Sequence, residues 1–191
     1  MQHARLARAL IGAAAAGILV VGWIGGCAGN RAQIQVMPFG DSASVIYAQE
    51  LWTALSAANL VGPTAKRSKL YKGQAPHGAV LETLTAKVSV GNRSDKVIVK
   101  RNYGPEGVTV KKVRSSRKKH LGAVTVMYKR EAGYDPENKN WFWAKYKPDG
   151  TLHTNPKGAA LAGRVAKGTD QGCIACHKAV ADKDYIFGKQ N

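Results

Sequence analysis

Val97-Ile98-Val99-Lys100-Arg101-Asn102, Ala123-Val124-Thr125-Val126-Met127-Tyr128-Lys129 and Trp141-Phe142-Trp143-Ala144-Lys145-Tyr146 are the runs that decide the fold. Each is short, rich in β-branched or aromatic residues, and bounded by turn signals. The turns read as Gly104-Pro105-Glu106-Gly107, Gly133-Tyr134-Asp135-Pro136 and Pro148-Asp149-Gly150. Val80 to Thr85 and Val108 to Val113 have the same character and are expected to be strands as well. Strands joined by short turns pair antiparallel. Upstream, Asp41 or Ser42 can cap a helix that runs to about Asn59. Val45, Ala48, Trp52 and Leu55 share one face of it, and Gly62-Pro63 stops the chain. Downstream, Thr154 to Gly168 is Gly- and Ala-rich and irregular, and a second helix is expected from near Asp170. The fold class is therefore α+β, mainly an antiparallel β-sheet with flanking helices.

The first residues read differently. Arg5 and Arg8 precede an acid-free run of Ala, Gly, Ile, Leu and Val, the pattern of an export signal over residues 1–26. Ile24-Gly25-Gly26-Cys27 resembles a lipobox, in which small residues fit the signal peptidase and the new N-terminal Cys27 is acylated. Cleavage after Ala28 and an uncleaved anchor compete with that outcome, since the apolar run is near the lower limit for spanning a bilayer. All three place the folded part in an oxidising, periplasm-like space. The absence of Asp after Cys27 favours the outer membrane for a lipid-anchored form. Residues 27–40 are then a linker, and 41–190 the folded domain.

The chain of 191 residues carries a formal charge of +17. Removing the signal takes two arginines and no acid, leaving 27 basic against 12 acidic residues. Much of the excess lies in two clusters, Lys66, Arg67, Lys69 and Lys72, then Lys111, Lys112, Arg114, Arg117, Lys118 and Lys119. Such runs are ordinarily a solvated face. Their functional reading is attraction of an acidic redox partner or of anionic lipid head groups. The export signal and the lack of a nucleic-acid-binding motif set nucleic acid aside.

Cys27, Cys173 and Cys176 are the only thiols. If Cys27 is lipidated or removed, one pair remains, in the spacing Cys173-Ile174-Ala175-Cys176-His177, which is the c-type haem attachment pattern. On a helical turn, residues three and four apart share a face. Both sulfurs can then reach the haem vinyl groups while His177 projects to the iron. A redox disulfide uses the same Cys spacing, but usually near a βαβ unit rather than at the end of a chain. Zinc would need four ligands, and no second Cys pair or close His pair is present. The reading is one covalent haem c with its iron, on a C-terminal helix.

Several words of the sequence stand out together: Pro76-His77-Gly78, Val97-Ile98-Val99-Lys100, Val126-Met127-Tyr128-Lys129, Gly133-Tyr134-Asp135-Pro136-Glu137, and Trp141-Phe142-Trp143-Ala144 with Pro148-Asp149-Gly150. Cys173 to His177 and Asp184-Tyr185-Ile186-Phe187 close the series. In content and order these words resemble the cytochrome P-460 family, which includes the cytochromes c′-beta. The resemblance spans about Pro76 to Phe187 and implies a sheet flanked by helices, a homodimer and a five-coordinate haem. It also implies a hydroxylamine oxidoreductase that works with nitric oxide and passes electrons to an acceptor. Members that only bind nitric oxide are the alternative, and a simple electron carrier is a third.

The family's unusual feature is a lysine bonded to the porphyrin edge, and the matching position is Lys100. Alternation along the strand puts Lys100 on the face of Ile98, opposite Val97 and Val99. Just upstream, Ser94-Asp95-Lys96 stands where the family often has Asp-Gly. Oxidising hydroxylamine also releases protons, so a distal carboxylate is expected. None is found on Ala123 to Met127, and Glu131, Asp135 and Glu137 fall in a turn expected to be exposed. His77, before a glycine at a strand entry, reads as structural or solvent-facing, with a sixth iron ligand as its alternative role, shared with Met127. His120 and His153 receive no role. Along Trp141 to Tyr146, one side is expected to pack in the core and the other to line the haem pocket.

Overall fold

The computed structural model describes residues 38–188. The export signal, Cys27 and most of the 27–40 linker lie outside the described residues. No helix among the described residues is long and apolar enough to cross a membrane.

Six antiparallel strands form a sheet in sequence order: β1 (Leu70–Lys72), β2 (Val80–Val90), β3 (Arg93–Tyr103), β4 (Leu121–Lys129), β5 (Trp141–Tyr146) and β6 (Ala162–Gly163). The expected strands at 80, 97, 123 and 141 are all present, three of them longer than the patterns showed. β1 and β6 are too short to announce themselves by alternation. α1 (Ser42–Ala57) is capped by Asp41, whose Oδ1 accepts the Ser44 amide at 2.8 Å. Its buried stripe is Ala48, Leu51 and Leu55, with Trp52 half-buried against Tyr146.

Val108 to Val113 is not a strand. It contains α2 (Val110–Ser115), followed by α3 (Arg117–His120). Thr109 Oγ1 accepts the Lys112 amide at 3.3 Å, a cap that sets the helix start. Val110 and Val113 are three apart, a helical spacing, and Val113 is fully buried against Leu70, Val80 and Tyr103. Tyr103 pairs directly with Leu121, so β3 and β4 are already neighbours and no strand fits between them.

Period-two alternation divides the sheet into two faces. One carries Val97, Val99, Val124, Val126, Tyr128, Phe142, Ala144 and Tyr146 and packs against α1. The other carries Ile98, Met127, Trp141 and Trp143, covered by Ile174 and Tyr185 from the C-terminal segment. The aromatic strand β5 thus feeds both sides, as its pattern predicts.

On the α1 side, Glu82 and Arg101 are opposite each other in register. Glu82 is fully buried; its Oε2 accepts from Arg101 at 3.0 Å and from the Tyr103 hydroxyl at 2.6 Å. Arg101 also donates to the Leu60 carbonyl at 2.8 Å. Burial alone would raise the Glu82 carboxyl, but the Ser68 amide, Tyr103 and Arg101 outweigh it and hold it below the usual carboxylate range. Its stabilisation is therefore complete above the ordinary value of 4.5 and is lost as pH falls through the lower folded value. Glu82→Gln leaves Arg101 unpaired and is expected to cost about 3 to 5 kcal/mol. In thermal unfolding at pH 7 and pH 3, the variant should show a smaller difference between the two pH values than the parent chain does.

Candidate haem site

Gly172, at φ +114, leads into α4 (Cys173–His177), and a Cβ there would meet the Ala166 Cβ at 2.4 Å. Only glycine lets the chain turn this closely into the motif. The Ile174 amide donates to the Val165 carbonyl at 3.2 Å and its side chain is buried on the second face, which fixes the short helix. Cys173 is half-buried and Cys176 exposed, and the two are not bonded to each other. Burial pushes the Cys173 thiol up to about 11, against the opposing charge of Lys145.

His177 is buried between Trp143, with ring centroids 4.8 Å apart, and Phe187, at 5.1 Å. Its Nδ1 lies 2.6 Å from the Tyr185 carbonyl. A carbonyl can only accept, so Nδ1 carries the proton and Nε2 is left with a lone pair, the arrangement of a metal-ligating imidazole. Burial lowers the His177 pKa, opposed by the hydrogen bond to Tyr185 and helped by the Lys100 charge. The carbonyl is aimed by an unusual backbone. Asp184 and Tyr185 both have positive φ, 57° and 63°, costly for residues other than glycine. Asp184 is held by Lys129 Nζ at 2.9 Å and by the Trp141 indole at 3.2 Å. The Tyr185 hydroxyl lies 3.1 Å from Asn138 Oδ1 and 3.2 Å from the Glu137 carbonyl.

Asn138 in turn donates to Asp135 at 2.8 Å, and Asp135 is fully buried and paired with Lys167 at 2.6 Å. Asp135 is therefore not the exposed turn acid its sequence context implies; Glu131 and Glu137 are exposed as expected. Its carboxylate is consumed in holding the loop that braces Tyr185.

Lys100 lies in β3 opposite Thr83 and Thr125, on the face of Ile98, as alternation requires. Burial lowers its pKa, and its charge acts on both His77 and His177. His77 is half-buried, not solvent-facing: its ring is 6.0 Å from that of His177 at 84°, and Nδ1 is 3.2 Å from Asn102 Oδ1. Burial, then Lys100, then His177 push it down to about 4, so it is neutral near pH 7. Gly78, at φ +115, makes this possible, since a Cβ there would meet the Tyr103 carbonyl oxygen at 2.8 Å. The sequence reads His77 as structural or solvent-facing, with a sixth iron ligand as the alternative, because its partner, Asn102, is on a distant strand.

On this face the cover stops halfway. Ile98, Met127, Trp141 and Trp143 are buried, whereas Thr83, Lys100, Thr125 and Lys145 are half-exposed and Thr85 is exposed. The Trp143 indole nitrogen is buried without a hydrogen-bond partner. An uncovered sheet face beside a thiol pair and an imidazole with a free Nε2 fits a flat, largely apolar metal macrocycle. Among the described residues, no group of three or more His, Cys, Asp or Glu is placed to hold a bare metal ion. The only carboxylates in β2 to β5 are Glu82 and Asp95, and alternation puts both on the α1 side.

A β-sheet that offers one face to a Cys-x-x-Cys-His helix defines a β-rich haem protein, distinct from the helical cytochromes. Over residues 46–188 the chain matches the family Cytochrome P460, and it belongs to that family. Membership brings a haem cofactor with its iron. No curated protein and no solved structure matches the chain.

Tyr185→Phe removes the hydroxyl contacts that brace the carbonyl facing His177. It should lower stability by about 1 kcal/mol, read by thermal unfolding, while leaving the sheet's far-ultraviolet dichroism unchanged.

Proposed function

We propose that the chain is an exported, periplasmic mono-haem cytochrome c that oxidises hydroxylamine together with nitric oxide and passes the electrons to an acceptor. Cys173 and Cys176 hold the haem covalently, His177 ligates the iron through Nε2, and Lys100 bonds to the porphyrin edge. The observation that carries this reading is the meeting of Lys100 and His177 on one uncovered sheet face. Haem iron supplies the one-electron chemistry. The chain's own residues do the rest. Tyr185 and Trp143 fix the imidazole, Ile98 and Met127 form a dry wall, and the half-exposed Thr83 and Thr125 leave room for a small polar substrate. Both strand carboxylates turn to the α1 side, and the imidazole of His77, neutral near pH 7 because burial and Lys100 disfavour its protonated form, can hydrogen-bond the substrate.

The spacing of the two imidazoles also favours a second reading, an electron carrier in which His77 takes the sixth iron position. Met127 is a weaker claimant because it is buried with Ile98 and Trp143. A high-spin ferric spectrum supports the open site; a low-spin spectrum that becomes high-spin in His77→Ala supports the carrier.

Cys173→Ala, Cys176→Ala is expected to keep haem bound after denaturation, through Lys100. Adding Lys100→Arg should release it. Hydroxylamine should reduce an artificial acceptor in the presence of the parent holoprotein. Release of haem from the double cysteine variant contradicts the Lys100 bond, and nitric-oxide binding without turnover contradicts the oxidase.

A further inference from the structure

The two basic runs of the sequence become one surface in the fold. α2 buries Val113 against Leu70 of β1. This lays the helix bearing Lys111, Lys112 and Arg114 beside the segment bearing Lys66, Arg67, Lys69 and Lys72. Glu82 ties the two together from below, accepting the Ser68 amide and lying 3.6 Å from Arg117. These seven cations, with Lys118 and Lys119 of α3, are all exposed. None of them takes part in an ion pair among the described residues. Unpaired like charges at this density repel one another and disfavour the compact state.

The surface is also shaped. Between the Lys72–Val80 segment and the Gly104–Val110 segment lies a cavity of about 780 Å³, walled by apolar side chains such as Val80, Pro105, Val108 and Val110 and edged by Lys72 on one side and Glu106 on the other. Pro76 and Gly78 of its first wall flank His77, whose own ring stays out of the lining and lies 6.0 Å from that of His177. Charge and concavity coincide at one place, on a segment that also carries His77.

We propose that this surface docks the electron acceptor, a protein whose acidic face meets the lysines and whose projecting apolar side chain enters the cavity. The proposal rests on the haem reading above and names the partner that reading requires. An anionic membrane would match the charge, but a flat lipid surface leaves the cavity unfilled. Complementary charge of this kind raises association rates by roughly ten- to a thousandfold at low ionic strength, and salt removes the gain.

The test uses dithionite-reduced holoprotein in stopped flow, with anionic ferricyanide or cationic tris(phenanthroline)cobalt(III) as oxidant. One electron leaves the protein in each case, and ferricyanide becomes ferrocyanide. Lys111→Glu, Lys112→Glu is compared with Lys139→Glu, Lys157→Glu, which makes the same charge change at exposed positions elsewhere. The surface variant should lose roughly tenfold in rate with ferricyanide at low salt, gain with the cobalt complex, and match the parent at high salt. Poly-L-glutamate should slow the parent and spare the surface variant. Equal effects of the two variants, or none from the surface variant, overturn the proposal. So does an unchanged ferricyanide rate accompanied by loss of binding to phosphatidylglycerol vesicles, which would assign the surface to lipid. Hydroxylamine takes no part in the assay, so failure of the oxidase reading would leave its result intact.

Discussion

β3 is shared by two differently built faces, and its alternation couples them. Val97 and Val99 fill the core under α1, while Ile98 and Lys100 point to the other side. A slip of one residue would bury Lys100 under α1 and remove the core valines at the same time. The buried Glu82–Arg101 pair, directly opposed in register, makes that slip more costly, because it would leave both charges without partners. The position of Lys100 is therefore fixed by the core on the far side of the sheet.

The C-terminal segment depends on that sheet in turn. Ile174 and Tyr185 are buried on the Trp143 side, and the positive-φ pair Asp184-Tyr185 is held by contacts to β4, β5 and the 135–138 turn. Each contact is modest in net energy. Together they aim one carbonyl at His177 Nδ1 and so decide which imidazole nitrogen stays free. The strain is tolerated because several side chains over-determine it.

Much of this was legible in the sequence. β-branched runs and turn residues located the central strands, Asp41 announced α1, and alternation placed Lys100 on the face of Ile98. What escaped depended on contacts between residues far apart in the chain. Val108 to Val113 reads as a strand because it is rich in β-branched residues and follows a turn signal, and the Thr109 cap and the burial of Val113 against β1 decide otherwise. Asp135 looked exposed because its turn is polar, yet Lys167 and Asn138 close over it. His77 looked peripheral because nothing local reveals Asn102 or His177. The two lysine-rich clusters looked separate until α2 packed on β1.

The central claim is that one haem is mounted on the second sheet face by residues from both β3 and α4. Mass spectrometry of a tryptic digest of the holoprotein tests it most directly. The account predicts a single haem carried by the peptide containing Cys173 and Cys176 and joined through Lys100 to the peptide from β3. A Cys173–Cys176 peptide free of haem would contradict it.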